Sequence, residues 1–198
     1  MKKIGIIIFI PVLLILMGYV WYVHFNYRFN AITEGKVYKS GKIPPDKIAS
    51  FIIKNKIKTV IDLRHPELHD ALNPGTQEGI HLERQAIKKL TNVRYINIAS
   101  DQVPSKENLV KFFDVMDKKD SYPVLIHCFH GTGRAILYSA IYRIEYERMS
   151  VEEARQKARF IIAGSSFDKG KRKGDFLINY KPRKEGEYST LNTIVSMY

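Results

Sequence analysis

The chain has 198 residues, 45% of them hydrophobic, enough for one domain with a sizeable core and too apolar for a disordered polar chain. Its formal net charge of +12 suits an anionic partner, and its single cysteine, Cys128, excludes an internal disulfide framework and any multi-cysteine metal site. A lone thiol is either a packing residue or a reactive one, and its neighbours decide which.

The first element in the chain is apolar. Ile4 to Val23 (IGIIIFIPVLLILMGYVWYV) carries no charge and as a helix would reach about 30 Å, the thickness of a bilayer core. Pro11 is tolerable in a membrane helix, and Trp21 and Tyr22 fall where an interfacial aromatic belt belongs. A cleaved signal peptide is the rival, but the run is long for one and no A-x-A-like site follows it. Residues 1–24 are therefore expected to form a membrane anchor. Lys2 and Lys3 sit flush against the run and favour a domain exported to the periplasmic side of a bacterial inner membrane. Arg28, Lys36, Lys39 and Lys42 count for the opposite topology.

Residues 25–34 read as a linker, followed by a catalytic domain over 35–184 and a tail over 185–198. GKVYKSGKIPPD suggests turns around a short strand at Val37 to Lys39, and Asp46 can cap a helix running near Lys47 to Asn55. KTVIDLR (Lys58 to Arg64) is a β-branched run of buried-strand length. Residues 77–90 space Ile80, Leu82, Ile87 and Leu90 as a helix does, and Val93 to Ala99 alternates as a strand. Ser105 caps a further helix, ENLVKFFDVMDKK. PVLIHC then reads as a buried strand and RAILYSAIYRIEYER as a helix. Ser150 and Glu153 form a capping box for a last helix ending near Gly164. The basic, Gly-rich FDKGKRKGDFLINYKPRKEGE reads as a surface segment. Strands alternating with helices predict an α/β domain, its central, largely parallel sheet flanked by helices.

The chemistry concentrates in VLIHCFHGTGRAIL, residues 124–137. A strand, a tight loop with two glycines and a helix start make an anion site, because loop N–H groups converge there and the helix dipole favours negative charge. Cys128 and Arg134, five residues apart, bracket the loop, so that the thiol lies at its floor and a planar guanidinium reaches the same ligand from the rim. That positive surrounding should populate the nucleophilic thiolate. The mechanism this assembles is attack of Cys128 on phosphorus, stabilisation by Arg134 and the amides of Phe129, His130, Gly131, Thr132 and Gly133, and hydrolysis of a cysteinyl-phosphate by water. It calls for no metal and no cofactor.

HCFHGTGR resembles the HCxxGxxR signature of the cysteine-dependent protein tyrosine and dual-specificity phosphatases. Upstream, GKVYKSGKIPPDKIASFIIKNKIKTVIDLR is similar to the opening of the atypical dual-specificity-like branch of bacteria, fungi and plants, and the resemblance covers roughly residues 35 to 163. It implies the phosphatase fold and a general acid on the loop before the helix that precedes the signature strand. Asp101 in NIASDQVPS occupies that place; Asp70 or Glu67 would substitute if the loops folded otherwise. The chain departs from the family at Ala135, where Ser or Thr usually contacts the thiolate and eases breakdown of the intermediate. Thr132 compensates only if its hydroxyl points inward.

Other polar residues carry plainer readings. His127 is expected to orient the cysteine backbone, Arg64 to form a structural ion pair, and His65, His69 and Asp70 to lie on a solvated loop. Lys169, Lys171, Arg172 and Lys173 read as a solvated basic loop, with attraction to anionic lipid or a polyanion as the alternative. The expected partners are a phosphorylated anionic substrate and a membrane, with no nucleic acid, since no recognition motif accompanies the charge. The function expected is hydrolysis of phosphate monoesters. A catalytically weak phosphate-binding module and a rhodanese-like sulfurtransferase are the alternatives.

Overall fold

The computed structural model describes residues 2–66, 77–159 and 164–183, with side chains from Ile10 onward. A helix, α1 (Lys2–His24), precedes the domain and runs through Pro11. Leu14, Ile15, Leu16, Met17 and Trp21 on it are all exposed. Among the described residues no helix is long and apolar enough to cross a membrane. The described side chains of α1 cover fewer than the about 20 residues a crossing takes, and the expected span of Ile4 to Val23 extends beyond them.

The sheet has five strands in the order β1-β2-β5-β3-β4. These are β1 (Asn30–Thr33), β2 (Val37–Ser40), β3 (Thr59–Asp62), β4 (Arg94–Asn97) and β5 (Val124–His127). The last four are mutually parallel and β1 pairs antiparallel with β2. The segment expected as a linker over 25–34 is thus part of the fold. Its strand is four residues long and half-exposed, too short and too wet to show in hydrophobic alternation. Tyr27 and Phe29, just ahead of it, pack into the core beside Tyr38 and Ile52.

Side chains alternate across the parallel strands, and the register makes the alternation continuous from strand to strand. Tyr38, Leu125 and Val60 are paired neighbours that face one layer, with α2 (Ile48–Lys54) and α3 (Gln77–Lys88). Val37, Val124, Ile126 and Ile61 face the other, with α4 (Lys106–Met116), α5 (Arg134–Tyr146), α6 (Val151–Ala158) and α7 (Arg172–Ile178). The same register aligns the strand ends: Ser40, His127, Asp62 and Asn97 form one row. Loops leaving that carboxyl edge are where an open parallel sheet builds its site.

Of the three helix caps expected from the sequence, two are present. Ser105 and Ser150 accept from the N3 amides of α4 and α6, each in a capping box closed by Asn108 and Glu153. Asp46 does not cap α2; Lys47 stands at that position without a side-chain cap, and the Pro44 carbonyl accepts from the Lys47 and Ile48 amides instead. The described part of α6 ends at Ala158, short of the expected end near Gly164. The basic segment after residue 164 contains a helix, α7, where a surface segment was expected. Its buried Gly174 and Leu177 explain why, since they give the segment an inner face.

Candidate active site

Cys128 follows β5 directly and is buried, 3% exposed, at the floor of the 128–133 loop. The N–H of Gly131 points at its sulfur, 3.3 Å from Sγ. Three successive loop carbonyls are each held by a donor outside the loop. Lys42 N–H donates to the carbonyl of Phe129 at 2.9 Å, the Arg28 guanidinium to that of His130 at 3.0 Å, and the Lys39 ammonium to that of Gly131 at 3.3 Å. Peptide groups are rigid and planar, so holding a carbonyl out points the following amide in. The pinning residues belong to the GKVYKSGK stretch and the turn ahead of β1, which is the structural reason this upstream region accompanies the loop.

Backbone packing reinforces the same shape. Gly131 adopts a φ of +72°, and a Cβ there would lie 2.4 Å from the Gly41 nitrogen. Only glycine fits at that contact. Lys39 is buried, and burial lowers its pKa to about 8 against the opposing pull of Cys128. His130 is exposed at the loop's crest; burial of its ring and the charges of Arg28, Arg134 and Lys42 lower its pKa.

Arg134 opens α5 and is 5% exposed. Its Nη1 donates to the carbonyls of Leu63 at 2.8 Å and Ser100 at 3.1 Å. Among the described residues no acceptor engages its Nε or Nη2, so one edge of the fork is anchored and the rest remains for a ligand. Ala135 behind it is fully buried. The Thr132 hydroxyl has no hydrogen bond to the sulfur among the described residues, so the hydroxyl contact that the family usually makes from position 135 is not supplied from the loop.

Asp101 sits one residue beyond the Ser100 carbonyl that binds Arg134. Its loop is fixed from two helices: Asn108 of α4 donates to Ala99 O at 3.0 Å, and Tyr138 of α5 to Ser100 Oγ at 3.0 Å. The carboxylate itself is 77% exposed, with His65 Nε2 3.3 Å away but off the hydrogen-bond direction. Asp70, Glu67 and His69, the other candidates of the preceding loop, lie outside the described residues.

Behind the cysteine is a buried charge cluster that the sequence showed only in part. Arg64 donates to both Asp62 oxygens, at 2.9 and 2.8 Å, and to Glu83 at 2.6 Å. His127 Nε2 stands 2.9 Å from the second Glu83 oxygen. Burial pushes the Asp62 carboxyl up, but His127 and Arg64 outweigh it and hold it well below the usual carboxylate range. Among the described residues Asp62, Glu83 and His127 form the one trio with metal-ligand proximity. The Arg64 guanidinium already bridges its two carboxylates, so the donor set fits a cationic side chain. The expected ion pair at Arg64 is present. Glu83 was missed, although its place between Ile80 and Ile87 puts a carboxylate on an apolar helix face.

An amide-lined loop between a parallel strand and a helix, with sulfur below and guanidinium above, is the architecture of the cysteine-dependent phosphatases of the atypical dual-specificity type. The family profile described as DSP-PTPase phosphatase fused to NAD+ kinase matches residues 26–173, and the chain belongs to that family. Solved structures share the fold. The catalytic core of the PP-IP phosphatase SIW14 from S. cerevisiae, in complex with citrate, is 19% identical with a TM-score of 0.57, over 85% of this chain and 92% of that one. TpbA of P. aeruginosa is 16% identical with a TM-score of 0.52, over 82% of this chain and 87% of that one. TpbA is also known in complex with pTyr. No curated protein sequence matches the chain.

Proposed function

We propose that the chain hydrolyses phosphate monoesters through a cysteinyl-phosphate intermediate. The thiolate of Cys128 attacks phosphorus and the bond to the ester oxygen breaks. Asp101 protonates the departing oxygen, and its carboxylate then takes a proton from the water that cleaves the S–P bond, releasing phosphate and restoring the thiolate. Arg134 and the inward amides hold the equatorial oxygens through both steps. The observation that carries this reading is the set of three loop carbonyls pinned outward at Phe129, His130 and Gly131, which leaves an anion-binding bowl around the sulfur. Phosphotyrosine or phosphoserine proteins, inositol phosphates and phospholipid head groups are the substrate classes in view. Phosphate release from one panel of all three, by wild type and Cys128→Ser, tests the proposal. Release that survives in Cys128→Ser, or no release from any panel member, rejects it.

A second reading, a phosphate-binding module that turns over weakly, draws on Ala135 and on the Thr132 hydroxyl, which makes no bond to the sulfur. Acid-quenched wild type should accumulate a phosphoenzyme that decays at the rate of turnover. Decay much faster than turnover excludes a slow second step.

We further propose that α1 anchors the enzyme in a membrane, with the domain exported. A helix with apolar side chains exposed on all sides belongs in a bilayer or a core. Extraction of the full chain from membranes by alkaline carbonate would reject the anchor, and protease accessibility in intact cells tests the side.

A further inference from the structure

Lys173 departs from the rest of its basic run. Lys169, Lys171 and Arg172 are exposed, whereas Lys173 is 8% exposed and turned inward. Its side chain lies on the cysteine loop. A Cβ built on Gly133 would meet Lys173 Cε at 3.4 Å and Nζ at 3.6 Å, with Gln102 Oε1 at 3.9 Å. The ammonium therefore occupies the gap between the loop's last glycine and the loop that bears Asp101. It has no carboxylate and no hydrogen-bond acceptor among the described residues. Burial lowers its pKa, the Cys128 charge raises it, and Arg134 and Arg172 lower it further.

Its position is built into the packing. A Cβ on Gly174 would lie 2.0 Å from the Asp168 carbonyl oxygen, so a bare glycine lets the start of α7 lie directly on that turn. The turn is held in place by α6 and the residue after it: Arg155 donates to Phe167 O at 3.0 Å and Arg159 to Asp168 at 2.6 Å. One helical turn beyond Lys173, Leu177 is buried in the core. A largely buried lysine side chain whose ammonium has no counterion is favourably placed to receive an anion. Here the nearest available anion position is the bowl itself.

We propose that Lys173 is a second cationic ligand of the substrate phosphate, delivered by α7 to the side of the bowl that faces Asp101. This rests on the reading that the 128–133 loop binds phosphate. Arg134 then clamps the phosphoryl group from one rim while Lys173 meets an oxygen from the other.

Equilibrium binding of inorganic phosphate to the full chain in detergent, followed by calorimetry, tests it without turnover. Lys173→Met should weaken binding about tenfold or more, the worth of one charge-assisted hydrogen bond. Lys173→Arg should stay within about threefold of wild type, and the exposed neighbour variant Lys171→Met should match wild type. Gly174→Ala, which leaves the ammonium intact but displaces α7, should reproduce the loss. Binding by folded Lys173→Met within about twofold of wild type overturns the proposal. So does equal loss in Lys173→Met and Lys173→Arg, which would mark a packing role, or a wild type that binds no phosphate. A chain that binds phosphate through Lys173 and hydrolyses nothing would sink the catalytic reading alone.

Discussion

The buried cationic side chains around the site fall into two groups, and they differ in what neutralises them. Behind the strand ends, Arg64 is saturated: two carboxylates engage its guanidinium, with Tyr95 completing Asp62 at 2.6 Å. At the loop, Arg134 and Lys39 donate to backbone carbonyls, and Lys173 has no partner among the described residues. Among the described residues no carboxylate is paired with any of the three. In the first cluster the cation is matched by carboxylates inside the fold. In the second, the Cys128 sulfur is the group that opposes the lysine charges among the described residues. The same residue types are thus neutralised within the fold in one place and left available to a ligand in the other, and the difference lies in the carboxylates, not the cations.

The comparison can be broken most severely in the first cluster. Arg64→Met strands Asp62 and Glu83 without a counter-ion and should cost about 3–5 kcal/mol of stability, read from urea unfolding. A loss below about 1 kcal/mol would mean the cluster is not held by its arginine. At the loop, Gly131→Ala changes no charge but drives a Cβ into the Ser40–Gly41 backbone. It should lower kcat/KM for an aryl phosphate about a hundredfold with the circular dichroism unchanged, because the amides move off the phosphate. Near-normal activity would show that the pinned carbonyls do not shape the bowl.

The smallest effect concerns Lys39 and pH. Its pKa falls from 10.5 to about 8 in the folded chain, so between these values the unfolded state binds more protons. Stability contributed by this group therefore rises as pH climbs from about 8 to 10.5. Activity should fall as pH rises through about 8, where the ammonium that holds the Gly131 carbonyl loses its charge in the folded chain. Lys39→Arg should flatten that alkaline limb. An unchanged limb would assign it to another group.

Local signals were readable in the sequence and distant ones were not. The Cys128-to-Arg134 spacing, its two glycines, and the Ser105 and Ser150 caps are written within a few neighbouring residues, and the structure places each accordingly. The short edge strand β1 carries no periodicity to detect. The outward pins at Arg28 and Lys39 act on carbonyls 102 and 92 positions away, beyond any local pattern. Lys173 looked like one more solvated charge, yet it shares a helical face with Leu177, and Glu83 shares one with Ile80 and Ile87. A charge on an apolar face is a legible sign of a buried partner or a ligand. Asp46 shows the converse, since a plausible cap residue was passed over when Pro44 met the helix start first.

Arg28 carries a mechanical consequence. Only four positions separate it from His24, the last residue of α1, a reach of at most about 14 Å even when extended. The same arginine grips the crest of the loop that holds the sulfur. The catalytic mouth hangs from that helix on a short bracket, not a long leash. Under the proposed anchoring of α1, whatever fixes the helix would also fix how far the cysteine loop stands from the membrane.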